Sequence, residues 1–316
     1  MSAATGLEIL RWADLDDSAR QCLLGSAAYS AATAHPLFSA LSQRVFRAYF
    51  GAACTDLTQV AVRDGNPVGY LPASSFDAEA SYFGLPARAF GETGAALMQS
   101  LAEAASRAGC RSLKLDQREV GAFSGNARLG PVQTTATAVV DLARDAAAIK
   151  AALRKSYKSL VNWGLNNLEL RVLDAQRANR DAFLAFRDFH RAVSGRSTRS
   201  DETWEIQFEM IRHGEAYAVL GSRDSRLVSA NLVQHSASEA YYGVGVYDRE
   251  MMAQRVPLAH GPLFHSILHA REIGLRKFVL GDVGASPDEK LGNIARFKRG
   301  FATAIEPGGW AHLRLG

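Results

Sequence analysis

Ser286-Pro-Asp-Glu-Lys-Leu-Gly-Asn-Ile-Ala-Arg-Phe-Lys-Arg-Gly-Phe301 is the stretch from which the rest of the chain is best read. Ser286 suits an N-cap and Pro287 the first helical position. Glu289 stands where it closes a capping box back to Ser286. Gly300 supplies a stop. A short helix is predicted between these signals. Leu291, Ile294 and Lys298 fall at i, i+3 and i+7, so they share one face. The two apolar residues call for burial and draw the lysine with them. An ammonium drawn toward an apolar interior is costly unless its charge is used. The bland alternative is a lysine whose stem is covered while its head reaches water.

The totals bound the answer. At 316 residues, 47% hydrophobic and 22% charged, the chain reads as a globular protein of two domains. Its net charge of +4 leans toward an anionic partner such as nucleic acid, a nucleotide or CoA. Cys22, Cys54 and Cys110 are odd in number and far apart, which excludes a disulfide framework and a zinc spacing. They suit a reducing compartment. No apolar run reaches the roughly 20 residues of a membrane span, and the N-terminus lacks the order of a secretion signal. A cytoplasmic chain without a membrane span is expected.

Along the chain, Leu7–Trp12 is predicted as a strand, Leu15–Leu24 as a helix and His35–Phe50 as a helical stretch. Thr58–Arg63 and Pro67–Ser75 flank Asp64-Gly65-Asn66, a strong hairpin signal. A helix over Gly94–Ala108 leads through Gly109 to a strand at Ser112–Asp116, and Thr134–Leu142 reads as another strand. The second half repeats that order. Predicted strands at Ala216–Gly221, Leu227–His235 and Ala240–Val246 precede a helix over Leu263–Ile273, then Gly274, then a strand at Arg276–Leu280. Glu103–Asp116 parallels His269–Leu280, each running helix, Gly, Arg, strand. The expectation is an α/β (α+β) chain made by duplicating one unit, with domains at 1–142 and 143–316. Two unrelated α/β domains sharing one supersecondary unit are the alternative.

Several residues carry a chemical reading beside a plain one. Lys150, Arg154 and Lys158 fall at i, i+4 and i+8 with Lys155 beside them: a phosphate-binding helix face, or a solvated one. Gly164 is read as that helix's end. Arg196 and Arg199 lie in a loop with Ser194, Ser197, Thr198 and Ser200, which suits bidentate anion recognition or a capping loop with exposed arginines. His190 is either a general base or a packed histidine. Asp282 follows a strand end, where ligands gather in open α/β sheets. Tyr241 and Tyr242 point to opposite sides of a strand, and either offers a hydroxyl or packs. A CoA-dependent acetyltransferase of the GNAT type presents a Gly-rich turn whose N–H groups cradle pyrophosphate ahead of a helix. Here that place reads Gln254-Arg-Val-Pro-Leu-Ala-His-Gly-Pro262, with one glycine and a proline that removes a donor.

Ile294-Ala-Arg-Phe-Lys-Arg-Gly-Phe301, with Leu153-Arg-Lys-Ser-Tyr-Lys-Ser159 and the duplicated halves, resembles the FemABX aminoacyltransferases. The resemblance implies two tandem GNAT-like domains, each a mixed, mostly antiparallel sheet flanked by helices. It implies transfer of an aminoacyl group from aminoacyl-tRNA to a primary amine of a peptide or small molecule, with no resident cofactor and a monomeric chain. Carried over, Lys298 steadies the developing oxyanion and Phe297 shapes the site, with Asp282 joining them as catalytic candidate. Arg154, Lys158, Arg196, Arg199, Tyr242 and His190 become candidates for substrate, and Lys150, Lys155 and Arg299 for tRNA phosphates. The chain lacks a coiled-coil arm and any match to a site for a UDP-linked cell-wall precursor. The alternatives are an acyl-CoA-dependent N-acetyltransferase acting on an amino sugar or amino acid, and a non-catalytic module holding RNA on its basic face.

Overall fold

The computed structural model describes residues 6–316. The chain forms two compact units. Unit 1 takes the residues up to Ala34, Phe50–Thr135 and Gly308–Gly316; unit 2 takes His35–Tyr49 and Ala136–Pro307. The single division at 142/143 expected from the sequence has no place for either exchanged segment.

Unit 1 begins with β1 (Leu7–Arg11), α1 (Asp17–Leu24) and α2 (Ala27–Thr33). After α3 (Ala40–Phe50), whose residues to Tyr49 belong to unit 2, it resumes with β2 (Thr55–Asp56), β3 (Gln59–Arg63) and β4 (Asn66–Leu71). Then come β5 (Ser74–Phe76), β6 (Glu79–Ser81), β7 (Phe90–Gly91), α4 (Gly94–Arg107) and β8 (Ser112–Asp116). The hairpin between β3 and β4 forms at the expected residues: Arg63 opposes Asn66, and Asp64 (φ 50°) and Gly65 (φ 78°) both take the left-handed values of a type I′ turn. α4 presents Leu97, Met98, Leu101 and Ala105 to a core with Leu71, Ala80, Leu113 and Leu115.

β9 (Gln133–Asp141) crosses into unit 2. There follow α5 (Ala146–Ala152), α6 (Lys155–Asn167), β10 (Glu169–Leu173), α7 (Arg180–Ser194), α8 (Asp201–Arg212), β11 (Ala216–Arg223), β12 (Arg226–His235) and β13 (Glu239–Tyr247). The chain continues through α9 (Arg249–Ala253), α10 (His260–Glu272), β14 (Lys277–Asp282), α11 (Glu289–Arg299) and β15 (Ala304–Arg314). The sheet of unit 2 runs β10-β11-β12-β13-β14-β9 and is antiparallel except at β13–β14.

Burial on both sides explains the continuous apolar run of β11. Tyr217 and Val219 face one core, shared with Leu263, Phe264 and Ile267 of α10. Ala216, Ala218 and Leu220 face the other, shared with Phe183 and Phe186 of α7 and Trp204 of α8. Alternation along the strand sends successive residues to opposite faces, so a sheet covered twice needs apolar residues at every step.

The duplication is visible in hydrogen bonds. α4 ends with Cys110 N donating to Ala105 O and Gly109 N to Ser106 O. α10 ends with Leu275 N donating to Ala270 O and Gly274 N to Arg271 O. Both glycines are left-handed, at φ 79° and φ 87°. The same Schellman-type exit thus turns each helix into the next strand. Each helix also crosses between parallel strands, β6 to β8 and β13 to β14.

Three local expectations are corrected. α11 starts two residues later than expected: Asp288 caps it, accepting from Leu291 N at 2.9 Å, while Ser286 Oγ accepts from Asp288 N. The basic helix is two helices, because Leu153 and Arg154 are extended between α5 and α6. Lys150 and Lys158 therefore do not share a helix face. Gly164 lies inside α6 rather than at its end, and it is where α6 meets α10. A Cβ on Gly164 would sit 2.8 Å from Gly261 Cα, and one on Gly261 would sit 2.7 Å from Gly164 Cα.

That backbone contact yields a paired prediction. Gly164→Ala or Gly261→Ala lowers stability by about 1–3 kcal/mol through overpacking. Gly292→Ala, on α11 with open space around it, raises stability by about 0.5–1 kcal/mol. Urea midpoints measure both.

Candidate active site

β13 and β14 pair only through Glu239–Tyr241 and Lys277–Val279. Both strands carry an irregularity where they part. Gly243 is the extra residue of β13 against β12, and Leu280 that of β14 against β9. Bulges bend strands and re-aim side chains, and they are frequent beside active sites. Here they open the end of the sheet at Gly281-Asp282.

Gly281 is left-handed at φ 95°. A Cβ on it would lie 2.9 Å from Lys298 Nζ and 3.7 Å from Tyr241 Oη. The lysine head occupies the space that any other residue at 281 would fill. Burial pushes the Lys298 pKa down, and the nearby Asp282 carboxylate pushes it back up. Among the described residues the ammonium makes no hydrogen bond or ion pair. Asp282 itself is exposed and accepts from Gly284 N at 3.0 Å. It stands close enough to bias the charge and does not cancel it.

α11 is held by its C-terminal end. None of its residues is fully buried. Arg154 N donates to Gly300 O at 2.9 Å, and Arg154 Nη2 donates to Arg296 O at 3.2 Å. Arg299 Nη2 donates to Val283 O. Arg154 and Arg299, expected to meet substrate and tRNA phosphate, are thus turned to carbonyls of this segment. Gly300 leaves room for the Tyr157 ring, whose Cε2 would lie 2.1 Å from a Cβ there. Tyr157 also packs on His260 (4.5 Å between centroids) and Phe301 (5.2 Å), and Phe297 packs on His260 (5.3 Å). Burial lowers the His260 pKa to about 4, leaving a neutral imidazole whose Nδ1 has no partner.

The spacing correctly groups Leu291, Ile294 and Lys298 but reverses their burial. Leu291 is 53% exposed and Ile294 40%, while Lys298 is half-buried. The exposure has a setting. Ile294 and Phe297 line a cleft of about 500 Å³ with Asn293, Tyr247, Met252 and Ala259. The cleft therefore borders the helix that carries Lys298.

The start of α10 is poorly made for a polyphosphate. Its N-cap, Ala259, offers no side-chain cap, and Pro262 has no N–H. A Cβ on Gly164 would come within 3.0 Å of Gly261 N, so α6 crowds the turn where pyrophosphate would have to approach.

Other expected site residues are engaged elsewhere in unit 2. Arg199 is not a free anion-binding fork. Its Nη1 lies 3.1 Å from His190 Nε2 and its guanidinium lies over Trp204. His190 is buried in that packing, its pKa lowered to about 4 mainly by burial, which makes it a core histidine. Arg196 is exposed nearby. The Tyr242 hydroxyl lies 2.6 Å from that of Tyr247, beside Asn231, and burial pushes its pKa up to about 12. Lys150, Lys155 and Lys158 are exposed or half-exposed and, among the described residues, carry no ion pair. Sequence reasoning missed Gly281, Gly300, Tyr157 and His260 as parts of the site. Their signal was their place in the sequence: Gly281 beside Asp282, Gly300 and Tyr157 within the two stretches that carry the resemblance, and His260 in the turn before Pro262.

No known family model matches the sequence, and no curated protein matches it. Among solved structures the chain is similar to FemX, with a TM-score of 0.61 and 12% identity over 96% of both chains. It is similar to L-PGS from Bacillus licheniformis, with a TM-score of 0.60 and 11% identity over 96% of this chain and 92% of that one. It is also similar to the tandem GNAT protein from the clavulanic acid biosynthesis pathway, with a TM-score of 0.57 and 17% identity over 98% of this chain and 99% of that one. At such identities the likeness establishes the fold, which is the FemX-like, tandem GNAT fold expected from the Phe297-Lys298 segment and the duplicated halves.

Proposed function

We propose that the protein is an N-acyltransferase that moves an aminoacyl group from aminoacyl-tRNA to a primary amine of a peptide or small molecule. The observation that carries this reading is Lys298: a half-buried, unpaired ammonium held over Gly281 where two strands part. Its support is the fold shared with FemX and L-PGS.

The chemistry suits the residues. Attack of an amine on an ester carbonyl needs alignment and a positive charge at the oxygen, with no covalent enzyme intermediate. Lys298 supplies the charge. Asp282 offsets part of the pull that burial exerts against the charged form of that lysine. Phe297 and Ile294 form the wall of the cleft that receives the acyl end of the donor. No resident cofactor is required. The turn before α10 disfavours CoA as donor, since Pro262 and the contact of Gly164 with Gly261 remove donors and space. Lys150, Lys155 and Lys158 offer charge to a tRNA backbone from two short helices rather than one face. Among the described residues no helix is long and apolar enough to cross a membrane.

A transfer screen read by mass spectrometry tests the reading. The protein is incubated with pooled amines and either charged total tRNA or mixed acyl-CoAs. The expected product gains one amino-acid residue and disappears with RNase. An acyl gain with CoA alone overturns the choice of donor. Lys298→Ala is expected to slow transfer about 100- to 1,000-fold at unchanged urea midpoint. Full activity in that variant contradicts the assigned role. The lowered Lys298 pKa places the alkaline loss of activity below the range of a free lysine. Asp282→Asn removes the contribution that raises that pKa, so the pH–rate profile should fall at still lower pH.

A further inference from the structure

Tyr241 and Tyr242 lie side by side on β13 and meet different fates. The Tyr242 hydroxyl is consumed by Tyr247. That of Tyr241 is not: among the described residues it makes no hydrogen bond, although the residue is half-buried. Its ring is held against His35 at 6.2 Å between centroids. Its oxygen lies 3.7 Å from the point where a Gly281 Cβ would stand, and Lys298 Nζ lies 2.9 Å from the same point. Two unpaired polar heads from β13 and α11 thus face one small space above a glycine that must stay a glycine. Neither head is claimed by another protein group among the described residues, so both are open to hydrogen-bond a ligand placed between them.

We propose that Tyr241 is the proton shuttle of this site, giving a proton to the leaving hydroxyl oxygen of the donor and taking one from the attacking amine. The proposal rests on the transfer reading above and adds a residue to it. As the amine attacks, the C–N bond forms and the carbonyl oxygen becomes an oxyanion beside Lys298. On collapse the bond from carbon to the ribose oxygen breaks. Tyr241 donates its phenolic proton to that oxygen, and the nitrogen gives its surplus proton to Tyr241. The phenol ends neutral and Lys298 stays an ammonium throughout, so charge and protons balance without another reactant. Burial and the Asp282 charge both hold the phenol protonated, as a donor requires.

The test is Tyr241→Phe assayed on two donors bearing the same aminoacyl group: aminoacyl-tRNA, whose ribose oxygen leaves poorly, and a 4-nitrophenyl ester, whose leaving group needs no proton. With aminoacyl-tRNA the expected loss is about 100-fold or more in kcat at unchanged KM. With the nitrophenyl ester the loss should shrink to a few-fold, while Lys298→Ala slows both donors. Equal losses on the two donors, or none on either, overturn the shuttle and leave the transfer reading standing. No transfer from aminoacyl-tRNA by the unaltered protein overturns both. Should Tyr241→Phe fail to fold, a solvent deuterium isotope effect on kcat of the unaltered protein decides. The shuttle requires one with aminoacyl-tRNA that is absent with the nitrophenyl ester; the same effect with both overturns it.

Discussion

The close approach of Lys298 to Gly281 is the contact on which the rest of the site depends. A lysine stem packed into a protein brings a charge that must be solvated, paired or used. Here the head stands where a side chain is missing, beside a strand end and an exposed aspartate. Asp282 is near enough to favour the charged form and is itself bonded to Gly284 N. The result is a cation available to a third party. Any residue other than glycine at 281 would be strained at φ 95°, and its Cβ would push the ammonium at the end of the flexible Lys298 side chain out of its place.

Holding a charge there takes scaffolding, because α11 buries none of its residues fully and cannot be fixed by apolar packing alone. The helix is fixed by its end: two bonds from Arg154, one from Arg299, and the Tyr157 ring filling the space beside Gly300. Behind that lies the backbone contact of Gly164 with Gly261, which lets α6 carry Tyr157 to the start of α10. The same contact crowds the turn that a nucleotide-bearing cofactor would use. One packing decision therefore places Tyr157 beside Gly300 and narrows the turn before α10.

Much of this was legible in the sequence because local chemistry and fold agreed. Asp64-Gly65 forms its hairpin, and the repeated helix–Gly–strand pattern becomes the two matching exits at Gly109 and Gly274. Pro262 marks the start of α10, and Phe297-Lys298 marks the helix on which the proposed site is built. What failed was decided at long range. Nothing local breaks the helix at Leu153-Arg154. The break follows from Leu153 entering the core and Arg154 N reaching Gly300 O. Ser286 and Asp288 can both cap, and the turn in which Ser286 Oγ accepts from Asp288 N moves the start. Periodicity placed Leu291, Ile294 and Lys298 together but carries no information on which side the core lies. Arg199 read as a fork for an anion, and Arg154 and Arg299 as contacts for substrate and tRNA phosphate, yet in the structure an imidazole and an indole hold the first and protein carbonyls the other two.

The most direct measurement is a double-mutant cycle for Gly281→Ala and Lys298→Ala, read as kcat for aminoacyl transfer. If the glycine exists to admit the ammonium, Gly281→Ala slows transfer and the double variant is no slower than Lys298→Ala alone. Full activity in Gly281→Ala, or losses that multiply in the double variant, would show that the two residues act separately and would contradict the account.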